Sequence, residues 1–151
     1  MTDVLTPEQR RKNMRAIKSR NTSPEIFIRR LLFSHGYRYR LNNAKIPGSP
    51  DIFLRKYNTA VFVHGCFWHR HKNCRLASTP STNYEKWQKK FQANIKRDNQ
   101  TAEKLRKAGI KRLIIWECTV RKMKRDENLR NIFLEHVKLF FQDKTLIESE
   151  F

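Results

Sequence analysis

One short stretch limits what this chain can fold into more than any other. Leu113-Ile114-Ile115-Trp116 is a continuous apolar run, the pattern of a strand buried on both faces. Before it lies a long amphipathic segment closed by Gly109, with Tyr84, Trp87, Phe91, Ile95 and Leu105 at spacings compatible with a 3.6-residue period. A helix feeding a buried strand implies a crossover and a partly parallel sheet. The fold class that follows is α/β, with a mixed β-sheet flanked by helices.

The remaining elements fit that frame. Thr22-Ser23-Pro24-Glu25 reads as a helix start, with a hydroxyl cap, an early Pro and an acid in the first turn. Ile26, Phe27, Ile28, Leu31 and Leu32 supply its apolar face, and Gly36 stands where a C-terminal cap belongs. Tyr37 to Leu41 reads as a strand, ended by the Pro- and Gly-containing loop Asn42 to Pro50. Asp51 to Leu54 and Thr59 to His64 are spaced as a hairpin, and Leu129, Ile132, Phe133, Val137 and Phe140 mark a last helix. Without repeats or linkers, residues 21–151 form one domain behind a basic arm, residues 1–20. Met14 and Ile17 in that arm are three apart, the spacing of one helical face, and the arm is expected to order on DNA.

The charge balance points to a polyanionic partner. Thirty-three Lys and Arg against fourteen Asp and Glu leave a net charge of +19. An excess of that size favours nucleic acid over a ribosomal-type or membrane-surface role without settling it. No run of ~18 apolar residues is present, so no membrane span is expected. Residues 1–20 also lack the apolar core of a secretory signal. An intracellular, reducing setting follows as the expectation.

In a reducing compartment, clustered Cys and His bind metal more often than they form disulfides. Cys66, His71 and Cys74 share one loop, and Cys118 follows the apolar strand. The four make a soft-ligand set suited to a closed, structural Zn²⁺ site that would pin the loop Gly65 to Thr82 to the core. A second constellation is acidic and imidazole-rich. Asp51 opens a strand, His64, His69 and His71 lie within eight residues, and Glu25 stands at a helix start. A carboxylate for a metal and an imidazole for a water proton are the minimum for metal-assisted phosphodiester hydrolysis.

Asn13-Met14-Arg15-Ala16-Ile17, Pro47-Gly48-Ser49-Pro50-Asp51, Phe62-Val63-His64-Gly65-Cys66-Phe67-Trp68-His69 and Trp116-Glu117-Cys118 together resemble the very short patch repair endonucleases over roughly residues 10–120. The resemblance implies a restriction-endonuclease-like fold with a structural zinc loop. It also implies Mg²⁺-dependent nicking 5′ to the thymine of a T:G mismatch left by 5-methylcytosine deamination, with 5′-phosphate and 3′-hydroxyl ends. Asp51 matches the family's Mg²⁺ ligand, and Val63 matches a strand residue whose carbonyl also binds metal. His69 matches the general base, and His64 and Glu25 match supporting residues. Cys66, His71, Cys74 and Cys118 match the zinc ligands.

By the same resemblance Phe67, Trp68 and Trp87 form an aromatic wedge entering the base stack, while Lys90 and Asn94 contact bases or phosphates near the mismatch. Composition alone would assign those rings to the core, as it does Trp116. Where restriction-type enzymes usually carry Glu-x-Lys, this chain has His64, implying histidine-assisted chemistry. The expected partner is double-stranded mismatched DNA, with a functional link to a DNA cytosine-5 methyltransferase, and a monomer suffices for a single nick. A zinc-stapled, non-catalytic DNA-binding module and a nickase of relaxed target remain as alternative readings.

Overall fold

A computed structural model describes residues 5–16 and 20–151, with the side chains of Met14 and Ala16 left aside. The Met14 side chain and Ile17, expected to touch DNA, therefore lie outside the described residues. Helix α1 (Pro7–Ala16) is followed by α2 (Ser23–Ser34), β1 (Arg40–Leu41), β2 (Ile52–Leu54) and β3 (Thr59–His64). After the Cys/His loop come α3 (Tyr84–Lys107), β4 (Lys111–Trp116), α4 (Glu117–Met123), α5 (Glu127–Gln142) and β5 (Glu148–Glu150).

Among the described residues the strands form one five-stranded sheet in the order β1-β2-β3-β4-β5. The first three run antiparallel, and β3, β4 and β5 run parallel to one another. The parallel β3/β4 pair spans six positions, Thr59 opposite Lys111 through His64 opposite Trp116. It is the crossover that the apolar run after α3 demanded.

Alternation along the strands divides the core into two faces. Ile52, Leu54, Val61, Leu113 and Ile115 pack with Ile28 and Leu32 of α2, Val120 and Met123 of α4, and Phe133, Val137 and Phe140 of α5. On the opposite face Phe53, Ala60 and Phe62 meet Leu105 of α3, and Ile114 and Trp116 meet Cys66 of the Cys/His loop. From Leu113 to Trp116 strand β4 is apolar because it is covered on both faces. The chain leaves α3 by a tight C-terminal turn: Gly109 N–H donates to Arg106 O at 3.1 Å and Ile110 N–H to Leu105 O at 2.9 Å, with Gly109 at φ +71°. That turn aims the chain directly into β4.

Three expectations need correction. The strand expected over Tyr37–Leu41 is confined to Arg40–Leu41, because Tyr37 rings against Tyr57 and Phe141 instead of extending the ladder. Strand β2 begins at Ile52, so Asp51 immediately precedes the ladder. Tyr84 and Ile95, assigned to the apolar face of α3, are exposed. A 24-residue helix is about 36 Å long and a six-residue strand about 20 Å, so α3 overhangs the sheet it covers.

Candidate active site and metal centre

Asp51 sits where the β2/β3 ladder ends, and its Oδ2 accepts a hydrogen bond from Val63 N–H at 2.7 Å. Pairing of the two strands stops at Ile52 opposite Val61, so the edge of Val63 facing β2 has passed the last backbone partner. The N–H and C=O of one strand residue point to the same side. The Val63 carbonyl thus shares the side on which Asp51 lies.

The imidazoles of His64 and His69 stack at 3.7 Å between centroids with 6° between planes. His69 Nδ1 lies 2.7 Å from Oδ2 of Asp98, a residue of α3. With Nδ1–H donated to that carboxylate, the lone pair of a neutral ring is on Nε2, the tautomer a general base requires. Glu25, Asp51, His64, His69 and Asp98 line one cleft of about 760 Å³, joined by the cations Arg97, Lys104 and Arg112.

The electrostatics suit a cation-dependent site. Burial pushes the Asp51 carboxyl up to about 6, with the Glu25 charge adding to the rise and the Val63 N–H opposing it. Burial and the neighbouring His69 hold the His64 imidazole down, to about 3, so it stays neutral in the working range. Glu25 is itself buried and is held by Arg29 at 3.0 Å and by Asn21 N–H at 2.9 Å, while Arg29 reaches Asn21 Oδ1 at 2.7 Å. This network fixes the start of α2 against the cleft.

The loop approaching from residues 42–50 is held by a close fit. A Cβ on Gly48 (φ +79°) would stand 2.3 Å from Thr101 Cγ2 on α3. Only glycine allows that approach, which closes the cleft lip between Ser49 and α3.

The four soft donors converge. Cys66, His71, Cys74 and Cys118 each place one donor atom within 4.8 Å of the others, with His71 Nδ1 at 3.5 Å from Cys66 Sγ and 3.4 Å from Cys118 Sγ. A tetrahedron with metal–sulfur bonds of ~2.3 Å has edges of about 3.8 Å, so the spacing fits one tetrahedral ion. Burial pushes the Cys66 thiol up to about 12, opposed by the Cys118 N–H that donates to its sulfur at 3.4 Å. Cys118 reaches the cluster from the first turn of α4, and His71 stacks on Trp116 at 4.0 Å. Trp116 is a core residue, as expected.

Phe67, Trp68 and Trp87 do come together, but around Phe91, which the sequence placed on the apolar face of α3. Phe67 lies 5.1 Å from Trp68, 5.4 Å from Trp87 and 5.2 Å from Phe91. Phe91 is buried while the other three rings are partly exposed, so the cluster is rooted in the core and open at its tip. Asn94 donates to Trp68 O at 3.1 Å, and Lys90 Nζ lies 5.2 Å from the Trp87 ring. In this state both residues are engaged with the aromatic tip. Asp98 is the residue that sequence reasoning missed. One of three scattered acids in a basic helix carries no motif, although its place seven residues after Phe91 put it two turns further along the covered side.

The comparisons with known proteins agree with this geometry. The family model described as DNA mismatch endonuclease Vsr matches residues 2–76. The chain is 41% identical over 121 residues to type II nicking enzyme V.NmeAIP of Neisseria meningitidis serogroup A, covering 80% of this chain and 86% of the relative. It is 41% identical over 133 residues to V.XorIIP of Xanthomonas oryzae pv. oryzae, covering 87% of this chain and 97% of the relative. DNA mismatch endonuclease Vsr of Escherichia coli K12 is 40% identical over 121 residues, 80% of this chain and 77% of the relative. Similarity of this extent, across the cleft, the Cys/His loop and the aromatic tip alike, makes the chain a member of the Vsr family of DNA mismatch endonucleases.

Proposed function

We propose that this DNA endonuclease nicks mismatched duplexes on the 5′ side of the thymine of a T:G pair, using Mg²⁺ at the cleft and Zn²⁺ at the Cys/His cluster. The observation that carries the chemistry is the convergence of Asp51, His64, His69 and Asp98 on one cleft beside an open aromatic tip. Hard oxygen donors and a carboxyl whose proton leaves only near pH 6 fit a dication that displaces that proton. The Asp51 carboxylate and the Val63 carbonyl would hold it. When bound, Mg²⁺ supplies neutralisation of the phosphate charge and acidification of water.

The chain's own groups account for the rest. His69 Nε2 takes the proton of the attacking water, and Asp98 holds the ring in the required tautomer and stabilises the imidazolium that forms. His64, neutral and stacked on His69, fixes the plane of that ring. Glu25 shares the cleft as a supporting carboxylate. Arg97, Lys104 and Arg112 draw the backbone phosphates in. Phe67, Trp68 and Trp87 would enter the base stack, where a mispaired step resists unstacking least. Lys90 and Asn94, with Met14 and Ile17 from the arm, would meet DNA around them.

The Cys66, His71, Cys74 and Cys118 set suits Zn²⁺, which would anchor the loop carrying both His69 and the wedge. Action on bacterial DNA in the cytoplasm, with a functional link to a DNA cytosine-5 methyltransferase, belongs to the same proposal. One cleft and one nick suit a monomer. Asp51→Ala and His69→Ala test the reading together: both are expected to abolish nicking while retaining DNA affinity. Undiminished nicking by both would move the active site elsewhere, and wild-type binding without any nicking would leave a DNA-binding module.

A further inference from the structure

The aromatic tip has to keep its shape in water before DNA arrives, and one side chain stands out as the means. Arg70 lies in the loop directly after Phe67, Trp68 and His69, with its own backbone in the left-handed region at φ +52°. Its guanidinium donates from Nη1 to Phe67 O at 3.2 Å and Ser78 O at 3.2 Å, and from Nη2 to Ala77 O at 2.8 Å and Thr79 Oγ1 at 2.8 Å. The same group lies 3.9 Å from the centroid of Phe91 and 5.7 Å from that of Phe67. One planar fork therefore joins the far arm of the metal loop, the wedge backbone and the buried ring beneath the wedge.

The neighbouring wedge carbonyl is held as well, since Trp68 O accepts from Asn94. Loop carbonyls of this kind would otherwise be satisfied by water, leaving the two rings free to reorient. Such freedom is lost on insertion into DNA and weakens binding by the entropy of ordering. A positive charge on a site of this shape could also serve only to attract phosphate. The distribution of its contacts argues otherwise, because four acceptors and a ring face occupy the fork.

We infer that Arg70 is a positioning residue for mismatch discrimination: its guanidinium clamps the 77–79 arm of the loop to Phe67 and Phe91 and so holds the aromatic wedge ready for insertion. The inference rests on the reading of Phe67 and Trp68 as that wedge. It predicts a selective defect. Loss of the clamp weakens the mismatched complex, where the rings are inserted, and leaves the complex with matched DNA, held by phosphate contacts, unchanged.

Arg70→Lys is the decisive variant, because it keeps the charge and removes the fork, which an ammonium cannot reproduce. Binding to T:G and matched duplexes is measured by titration at one fixed salt concentration, together with zinc content and thermal midpoint. The expected result is about a tenfold loss of T:G affinity, the size of one lost anchoring interaction, with matched-DNA affinity, zinc content and the rate at saturating T:G substrate within about twofold of wild type. Thr79→Val, which removes one acceptor, is expected to show the same selectivity to a smaller extent. An equal fall for both duplexes, a loss of zinc, or no change in either variant overturns the inference. Phe67→Ala serves as the control: if it too leaves the T:G preference intact, the wedge reading itself fails, whereas its loss beside an unaffected Arg70→Lys refutes the clamp alone.

Discussion

Replacing Asp51 by Asn is expected to stabilise the protein while abolishing its nicking. The carboxyl titrates from its ordinary 3.8 up to about 6, chiefly through burial. At 1.36 kcal/mol per unit, the charged form is disfavoured in the folded state by about 3 kcal/mol. Asn keeps an acceptor for Val63 N–H, and the stronger bond to the charged carboxylate is already counted in that figure. The net gain at neutral pH is therefore about 3 kcal/mol.

Its pH dependence has a defined sign. Between 3.8 and 6 the folded state retains a proton that the unfolded state has lost, so the wild type loses stability as pH rises through that window. The advantage of Asp51→Asn is full above pH 6, falls to about half at pH 5 and disappears below the unfolded value. The assay is urea denaturation of zinc-loaded, Mg²⁺-free protein at pH 5 and pH 8. Added Mg²⁺ should raise the wild-type midpoint, leave the variant unmoved and so close the gap at pH 8. A variant less stable than wild type at pH 8, or a gap independent of pH, refutes the reasoning.

Further predictions follow from the same geometry. Asp98→Asn removes the charge behind His69 and can present the wrong partner to Nδ1; steady-state nicking should fall about 10²-fold or more with T:G binding within about twofold. Cys118→Ser should leave less than half an equivalent of zinc by metal analysis and lower the thermal midpoint, since it cuts the tie between the Cys/His loop and α4. Gly48→Ala should destabilise the fold by about 2–3 kcal/mol in urea titration, from its left-handed backbone and the Thr101 contact, and Thr101→Ala in the same chain should restore part of it.

How far the residues announced this arrangement differs from element to element. Leu113–Trp116 declared itself because a strand segment covered on both faces is apolar at successive positions, and the convergence of Cys118 with Cys66, His71 and Cys74 follows from parallel pairing of β3 and β4. Strand β5 gave no such signal: Glu148-Ser149-Glu150 is an exposed edge that depends on β4 for its pairing, tied in by Phe151 N–H to Ile114 O at 2.9 Å. Helix α4 is hidden for a related reason, being too short for a period to show between Trp116 and the start of α5. Within the cleft, Asp51 and the histidines were legible as types of residue at strand ends. Asp98 was not, because its role exists only where α3 crosses the turn bearing His69, 29 residues earlier. Arg70 was equally hidden, one cation among thirty-three Lys and Arg until its fork is seen filled.

The central claim is mismatch-directed, metal-dependent strand cleavage, and a nicking assay on end-labelled duplexes tests it most directly. One duplex carries a central T:G pair, the other is fully matched, and each is incubated with Mg²⁺ or with EDTA across several flanking sequences. The account predicts a single Mg²⁺-dependent cut on the 5′ side of the mismatched thymine and none in the matched duplex. Equal cutting of both duplexes, or cutting that persists in EDTA, would contradict it.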